Sequence, residues 1–145
     1  MVAPRVSALL LGLVTGAMLF IAVALVPFWR ALPPAEFRAW FAANVFQIGA
    51  LMFPLGVAAA IASATSFVLG RRLPSRTWRL TAAAGAVAVV IVTLAVNEPA
   101  NVRFAASDGL GDDDTRALLA WWTTWHWVRV GLGLGGFYAA LRALG

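Results

Sequence analysis

The chain has no cysteine and no lysine, a single histidine, a single tyrosine and six acidic residues in 145. Without cysteine there is no disulfide, no thiolate metal site and no cysteine nucleophile, and cysteine usage says nothing about redox compartment. One histidine is a poor basis for a zinc or iron site, which draws on three or four protein ligands. Charged residues make up 12% of the chain, about half the share of an ordinary soluble domain. No low-complexity tail and no solenoid repeat is present.

What is there is apolar surface. Hydrophobic residues are 62% of the sequence, more than a soluble core of this size can use, so lipid must cover the excess. The sequence therefore predicts an all-α integral membrane protein, a bundle of four transmembrane helices forming one domain over 1–145. The spans fall at about 6–29, 44–69, 78–97 and 113–144. Residues 34–43 (PAEFRAWFAA) predict a short interfacial helix between the first two, because Phe37, Trp40 and Phe41 recur at i, i+3, i+4 and form one apolar face. Pro27 and the Pro33-Pro34 pair mark the exit from the first span, and Pro54 predicts a kink in the second. Gly12 and Gly16 form a small-xxx-small pair suited to close helix approach. Asp112, Asp113, Asp114 and Thr115 have the chemistry of a helix N-terminus, where oxygens meet free N–H groups and negative charge meets the positive dipole end.

The net charge of +5 does not point to nucleic acid, because the arginines sit between apolar runs rather than along one face. They report topology instead. With four spans, Arg5, Arg71, Arg72, Arg76, Arg79 and Arg142 share one side with both termini. Every Asp and Glu falls on the other, with Arg30, Arg38, Arg103 and Arg116. Excess Arg marks the cytoplasmic side, so both termini are expected in the cytoplasm and the segment 97–116 outside. A composition rich in Ala, Leu, Arg and Gly suggests a GC-rich bacterial genome, so the expected location is the bacterial inner membrane.

Polar residues inside a bilayer are costly and are functional candidates. Here they gather at one depth. Asn44 and Gln47 open the second helix, Asn97 and Glu98 end the third, and His126 and Arg129 lie in the outer part of the fourth. Trp122, His126 and Arg129 stand at i, i+4, i+7 and share one face, and Gly133 continues it. A desolvated Arg129 needs a partner: either Glu98 pairs with it, or carbonyls at the end of the third helix receive it. His126 reads as a general base or hydrogen-bond donor, or as a structural side chain. Trp121, Trp122, Trp125 and Trp127 read as an interfacial aromatic belt, with pocket lining open for Trp122 and Trp125. The inner half lacks a comparable polar set, which disfavours a conducting path.

Two stretches carry a family resemblance. VTLAVNEPANVRFAA, with Asn97, Pro99 and Asn101, and WTTWHWVRVGLGL, with Trp122, His126 and Arg129, resemble the two conserved patterns of a family of small four-helix membrane proteins that includes the anthrone oxygenases of aromatic polyketide pathways. About 35 residues match well and most of the chain matches loosely. Two positions depart from the family: Glu98 stands where a small apolar residue is common, and Val130 where Thr is frequent.

The resemblance implies an oxidoreductase, a monooxygenase that inserts oxygen from O₂ into an activated aromatic C–H to give a quinone. His126, Arg129 and Asn97 are then the expected catalytic residues and Trp122, Trp125 and Asn101 substrate-binding ones, with Glu98 and Gln47 added to the substrate-binding set from the polar cluster at the same depth. An anthrone has an acidic methylene whose anion reacts with O₂ directly, so no cofactor is expected beyond O₂ as co-substrate, and a metal or haem stays open. Expected partners are membrane lipids and an apolar aromatic small molecule, with a homo-oligomer possible. The competing reading is a non-enzymatic membrane protein that binds a ligand or lipid or assists assembly. An open Trp-lined cavity favours an enzyme or ligand binder; a closed Glu98–Arg129 pair favours a structural role.

Overall fold

The computed structural model describes residues 2–106 and 109–145. Among these there are only helices: α1 (Ala3–Ala31), α2 (Pro34–Gly70), α3 (Arg76–Ala105) and α4 (Asp112–Arg142). Each packs along its sequence neighbour, and α4 returns to α1, so the four close a ring. Asp108, counted above in the outer acidic segment, lies outside the described residues.

The prolines act differently from expectation. Helix α1 does not exit at Pro27. It widens into a π-turn over Ile21–Leu25, closed by the Val26 N–H donating to the Ile21 carbonyl, and continues to Ala31. Helix α3 does the same over Thr93–Asn97, where the Glu98 N–H reaches the Thr93 carbonyl, and Pro99 follows in the first turn of a continuing helix. A proline removes one i→i−4 bond and crowds the preceding turn; a π-turn two residues ahead of it absorbs both defects. The third helix therefore runs eight residues past its expected end. Pro54 likewise sits inside α2 without ending it.

The chain turns at Pro33-Pro34, the second of the expected exit marks. Leu32 is extended (φ −78°, ψ 148°), as a residue before proline prefers, and Pro34 opens α2 with its missing N–H at no cost. The separate interfacial helix expected over 34–43 is instead the first turns of α2. No breaker follows Phe41, and the Asn44 side chain donates back to the Trp40 carbonyl at 2.7 Å, so the helix runs on.

Helix α4 starts at Asp112, with all three aspartates in its first turn. Arg38 of α2 ties this end down, donating to Thr115 Oγ1 at 2.6 Å and lying 3.6 Å from Asp112. At the other end of the bundle, Arg79 is no loop arginine. It is buried over Gly70 and donates to the Ser66 carbonyl and hydroxyl and to Ser75 Oγ, capping the carbonyl end of α2, where a cation suits the dipole.

Three helices, α1, α2 and α3, are long and apolar enough to cross a membrane. Helix α4 is long enough at 31 residues, but Thr123, His126 and Arg129 lower its hydropathy. These three are buried within the bundle, whereas Trp121, Trp127, Val128, Leu134 and Tyr138 of the same helix face outward. The polarity is on the inside.

Small residues set the closest helix approach, though not through the expected pair. Gly12 receives the Phe137 ring, and Gly16 has no neighbour within 4 Å. The tight contact is α3 on α4, where a Cβ on Gly85 would lie 3.0 Å from the Leu132 carbonyl oxygen and 3.1 Å from Gly136 Cα. Both are backbone and cannot rotate away. Gly85→Val is expected to cost about 1–3 kcal/mol through overpacking, read as a lower thermal midpoint in detergent.

Candidate functional site

The face of α4 carrying Trp122, His126 and Arg129 points into the bundle, and all three are buried. The Trp122 and His126 rings stack, with centroids 4.7 Å apart and planes 12° from parallel. Arg129 lies over the Trp122 ring at 5.6 Å and donates to His126 Nδ1 at 2.6 Å and to Thr93 Oγ1 of α3 at 3.0 Å. Arginine has no acceptor, so His126 Nδ1 must be the acceptor and the ring proton sits on Nε2. From there it is donated to the Met18 carbonyl of α1 at 2.8 Å. One neutral imidazole thus joins α1, α4 and Arg129.

Asn97 and Asn101, four apart on α3, both hold Trp122. Asn97 Nδ2 donates to the Trp122 carbonyl at 3.3 Å, and Trp122 Nε1 donates to Asn101 Oδ1 at 2.8 Å. Asn101 Nδ2 in turn donates to Glu98 Oε1 at 2.8 Å. Trp122→Phe keeps the stack but frees Asn101 Oδ1. It is expected to cost about 1 kcal/mol of stability and to loosen Glu98, seen as a small fall in thermal midpoint and weaker binding of an aromatic ligand.

Beside this network is a partly open cavity of about 620 Å³ with walls from all four helices. Four of the expected site residues line it: Glu98, Asn101, Trp122 and Arg129. Its remaining wall is mostly apolar, including Met18, Trp29, Phe41, Met52 and Pro54. The size suits a ligand of a few fused rings.

The other four expected residues do not line it. His126 is fully buried behind Trp122, with both ring nitrogens engaged, so a free general base there does not fit this geometry. Asn97 is also fully buried; its Oδ1 has no partner. Trp125 packs on Trp121 at 5.6 Å, away from the cavity. Gln47 is exposed, on the α2 stripe of Asn44 and Leu51, because the cavity-facing positions alternate around Val45, Ile48 and Met52.

The expected Glu98–Arg129 pair is absent: the ion pairs among the described residues are Arg38–Asp112 and Arg116–Asp113. Glu98, exposed at the rim, is held by Asn101, and the buried Arg129 by His126 and Thr93; both residues line the cavity without closing on each other. Two of the five guanidinium N–H groups are spent, and Nε is buried without a partner.

Two of the wall residues not expected from the sequence bear on the site. Thr93 lies five before Glu98, and only the π-turn brings both to one cavity. Trp29 follows Pro27; it is buried at the centre of an aromatic cluster, 5.5 Å from Trp122 and 5.6 Å from Phe41. Proline inside an apolar helix was the signal for both. No three His, Cys, Asp or Glu side chains among the described residues come together as a metal site would need.

These features define an all-helical bundle with a charged and aromatic patch against an apolar cavity. Residues 41–139, about two thirds of the chain, match the family model described as anthrone oxygenase, and the chain belongs to that family. No curated protein and no solved structure matches it.

Proposed function

We propose that this protein is a membrane-embedded oxygenase that oxidises a flat aromatic quinone precursor, an anthrone or a close relative, with O₂ in the cavity between the helices. The observation that carries this reading is Arg129: a buried guanidinium in ion-pair contact with no carboxylate among the described residues, beside an indole wall. A ligand that develops negative charge on an oxygen supplies what the site lacks. Family membership supports the oxygenase class.

Oxidation of an anthrone balances without a further reductant. The ring methylene loses a proton, and the electron pair moves onto the ring carbonyl as an oxyanion. The enolate carbon then bonds to O₂ and gives a hydroperoxide. Loss of water from that carbon leaves the second quinone carbonyl. Arg129 stabilises the oxyanion by charge and hydrogen bonding in a water-poor site, where such donors act most strongly. Trp122 holds the flat rings, with Asn101 fixing its indole.

Exposed apolar side chains on all four helices support membrane insertion, among them Leu9, Phe46, Leu51, Ile91 and Trp121. With the arginine distribution they support cytoplasmic termini in a bacterial inner membrane, which puts the cavity in the outer leaflet, where an apolar substrate and O₂ both partition.

The test is oxygen uptake by the purified protein in lipid with anthrone, with anthraquinone quantified as product. Stoichiometric uptake supports the reading. Binding of anthrone without uptake would establish instead the non-enzymatic ligand or lipid binder, which the apolar wall of the cavity also suits.

A further inference from the structure

We propose that Glu98 is the proton acceptor of the site, the group that takes the proton from the substrate carbon. The inference rests on the oxygenase reading above and deepens it.

Among the described wall residues of the cavity only Glu98 and Arg129 ionise. Arg129 has no lone pair to offer a proton. His126, the residue whose type best suits a base, does not reach the cavity and has both ring nitrogens engaged. A carboxylate with one oxygen held and the other free is what remains. Asn101 holds Oε1 at 2.8 Å, and Asn101 is itself fixed by Trp122 Nε1, so Glu98 is oriented from the indole that would carry the substrate.

The backbone adds a second, independent reason. Thr93 and Glu98 are five residues apart, which on an ordinary helix puts them about 140° apart. The π-turn over Thr93–Asn97 lies between them, and its closing bond is the Glu98 N–H on the Thr93 carbonyl. Both residues consequently line one cavity, Thr93 bonded to Arg129 and Glu98 to Asn101. Such π-turns recur at functional sites.

The proton accounting closes on Glu98 alone. Its carboxylate takes the first methylene proton while the C–H electron pair passes to the oxyanion beside Arg129. The enolate carbon bonds to O₂, and the carboxyl returns its proton to the peroxide oxygen. Glu98 then takes the second proton from the same carbon as the O–O bond breaks, and gives it to the departing hydroxide. The products are a quinone and water, and Glu98 ends as it began.

The test separates proton transfer from oxygen chemistry. Anthrone deuterated at its methylene is incubated under argon with the full chain in lipid, and loss of deuterium to water is followed by mass spectrometry. The wild type is expected to accelerate exchange over protein-free lipid. Glu98→Gln keeps the size and the contact with Asn101, and is expected to lower that acceleration about 10²- to 10⁴-fold with thermal midpoint and anthrone binding unchanged. Glu98→Asp, a carboxylate set back by one methylene, is expected to retain part of it. Exchange by Glu98→Gln at the wild-type rate would overturn the proposal, as would a wild type that accelerates no exchange. Oxygen uptake in air judges the underlying reading separately. A wild type that consumes oxygen without catalysing exchange keeps the oxygenase and loses Glu98; one that does neither loses both.

Discussion

Replacing Arg129 by Met is expected to lower kcat/KM for anthrone oxidation by about 10²- to 10³-fold, or about 2.7–4 kcal/mol of transition-state stabilisation, the usual cost of losing one preorganised oxyanion donor. The loss should appear with the fold intact. Arg129 is buried without a carboxylate, and one of its nitrogens has no partner, so its desolvation is poorly compensated. Met fills similar space and removes that cost. Against this, His126 Nδ1 and Thr93 Oγ1 lose their shared donor, at about 1–3 kcal/mol for a group left unsatisfied. These effects oppose each other, and the thermal midpoint should move little while turnover collapses. Arg129→Lys sharpens the test. It keeps the charge but loses the planar fork that reaches His126 and Thr93 together, so its activity should fall between wild type and Met. An Arg129→Met variant with wild-type kcat/KM would remove the guanidinium from the chemistry and leave the cavity as a binding site.

Much of this architecture was legible in the sequence. Apolar runs separated by arginine or acidic segments gave four helices, and the i, i+4, i+7 spacing put Trp122, His126 and Arg129 on one inward face. Asn101 and Glu98 both line the cavity, the first on the family pattern and the second from its depth beside His126 and Arg129. What failed were inferences that treated proline as punctuation. Pro27 and Pro99 lie inside helices, and the π-turns ahead of them are a tertiary solution: the helix is worth continuing only because neighbours bury it. The prolines mark where such a turn is needed, but no local pattern announces that the helix continues past them.

The Glu98–Arg129 pairing failed for a related reason. Opposite charges at one depth look like partners in a list, yet each has nearer hydrogen-bond partners, Asn101 for Glu98 and His126 with Thr93 for Arg129. Gln47 misled through its type. Its register on α2, with the exposed Leu51 four residues on, is the better guide, and periodicity alone could have found it.

His126→Leu is expected to lower stability by about 3 kcal/mol, the sum of a charge-assisted hydrogen bond and a neutral one in a buried site. His126 is 0% exposed, accepts from Arg129 and donates to the Met18 carbonyl. Leu has similar bulk, so the change removes the bonds rather than the volume, and Arg129 Nη2 is left without its acceptor. The stack on Trp122 goes as well. Thermal unfolding in detergent, followed by circular dichroism, reads the effect directly. A base role predicts the opposite pattern, because a side chain kept for proton transfer can be lost with the fold near wild-type stability and only turnover abolished. The deuterium exchange assay divides the two again: at a temperature where the Leu variant is still folded, exchange should persist, since its proton acceptor is elsewhere. A stable His126→Leu protein that exchanges no deuterium would return the imidazole to the chemistry and reduce Glu98 to a member of the wall.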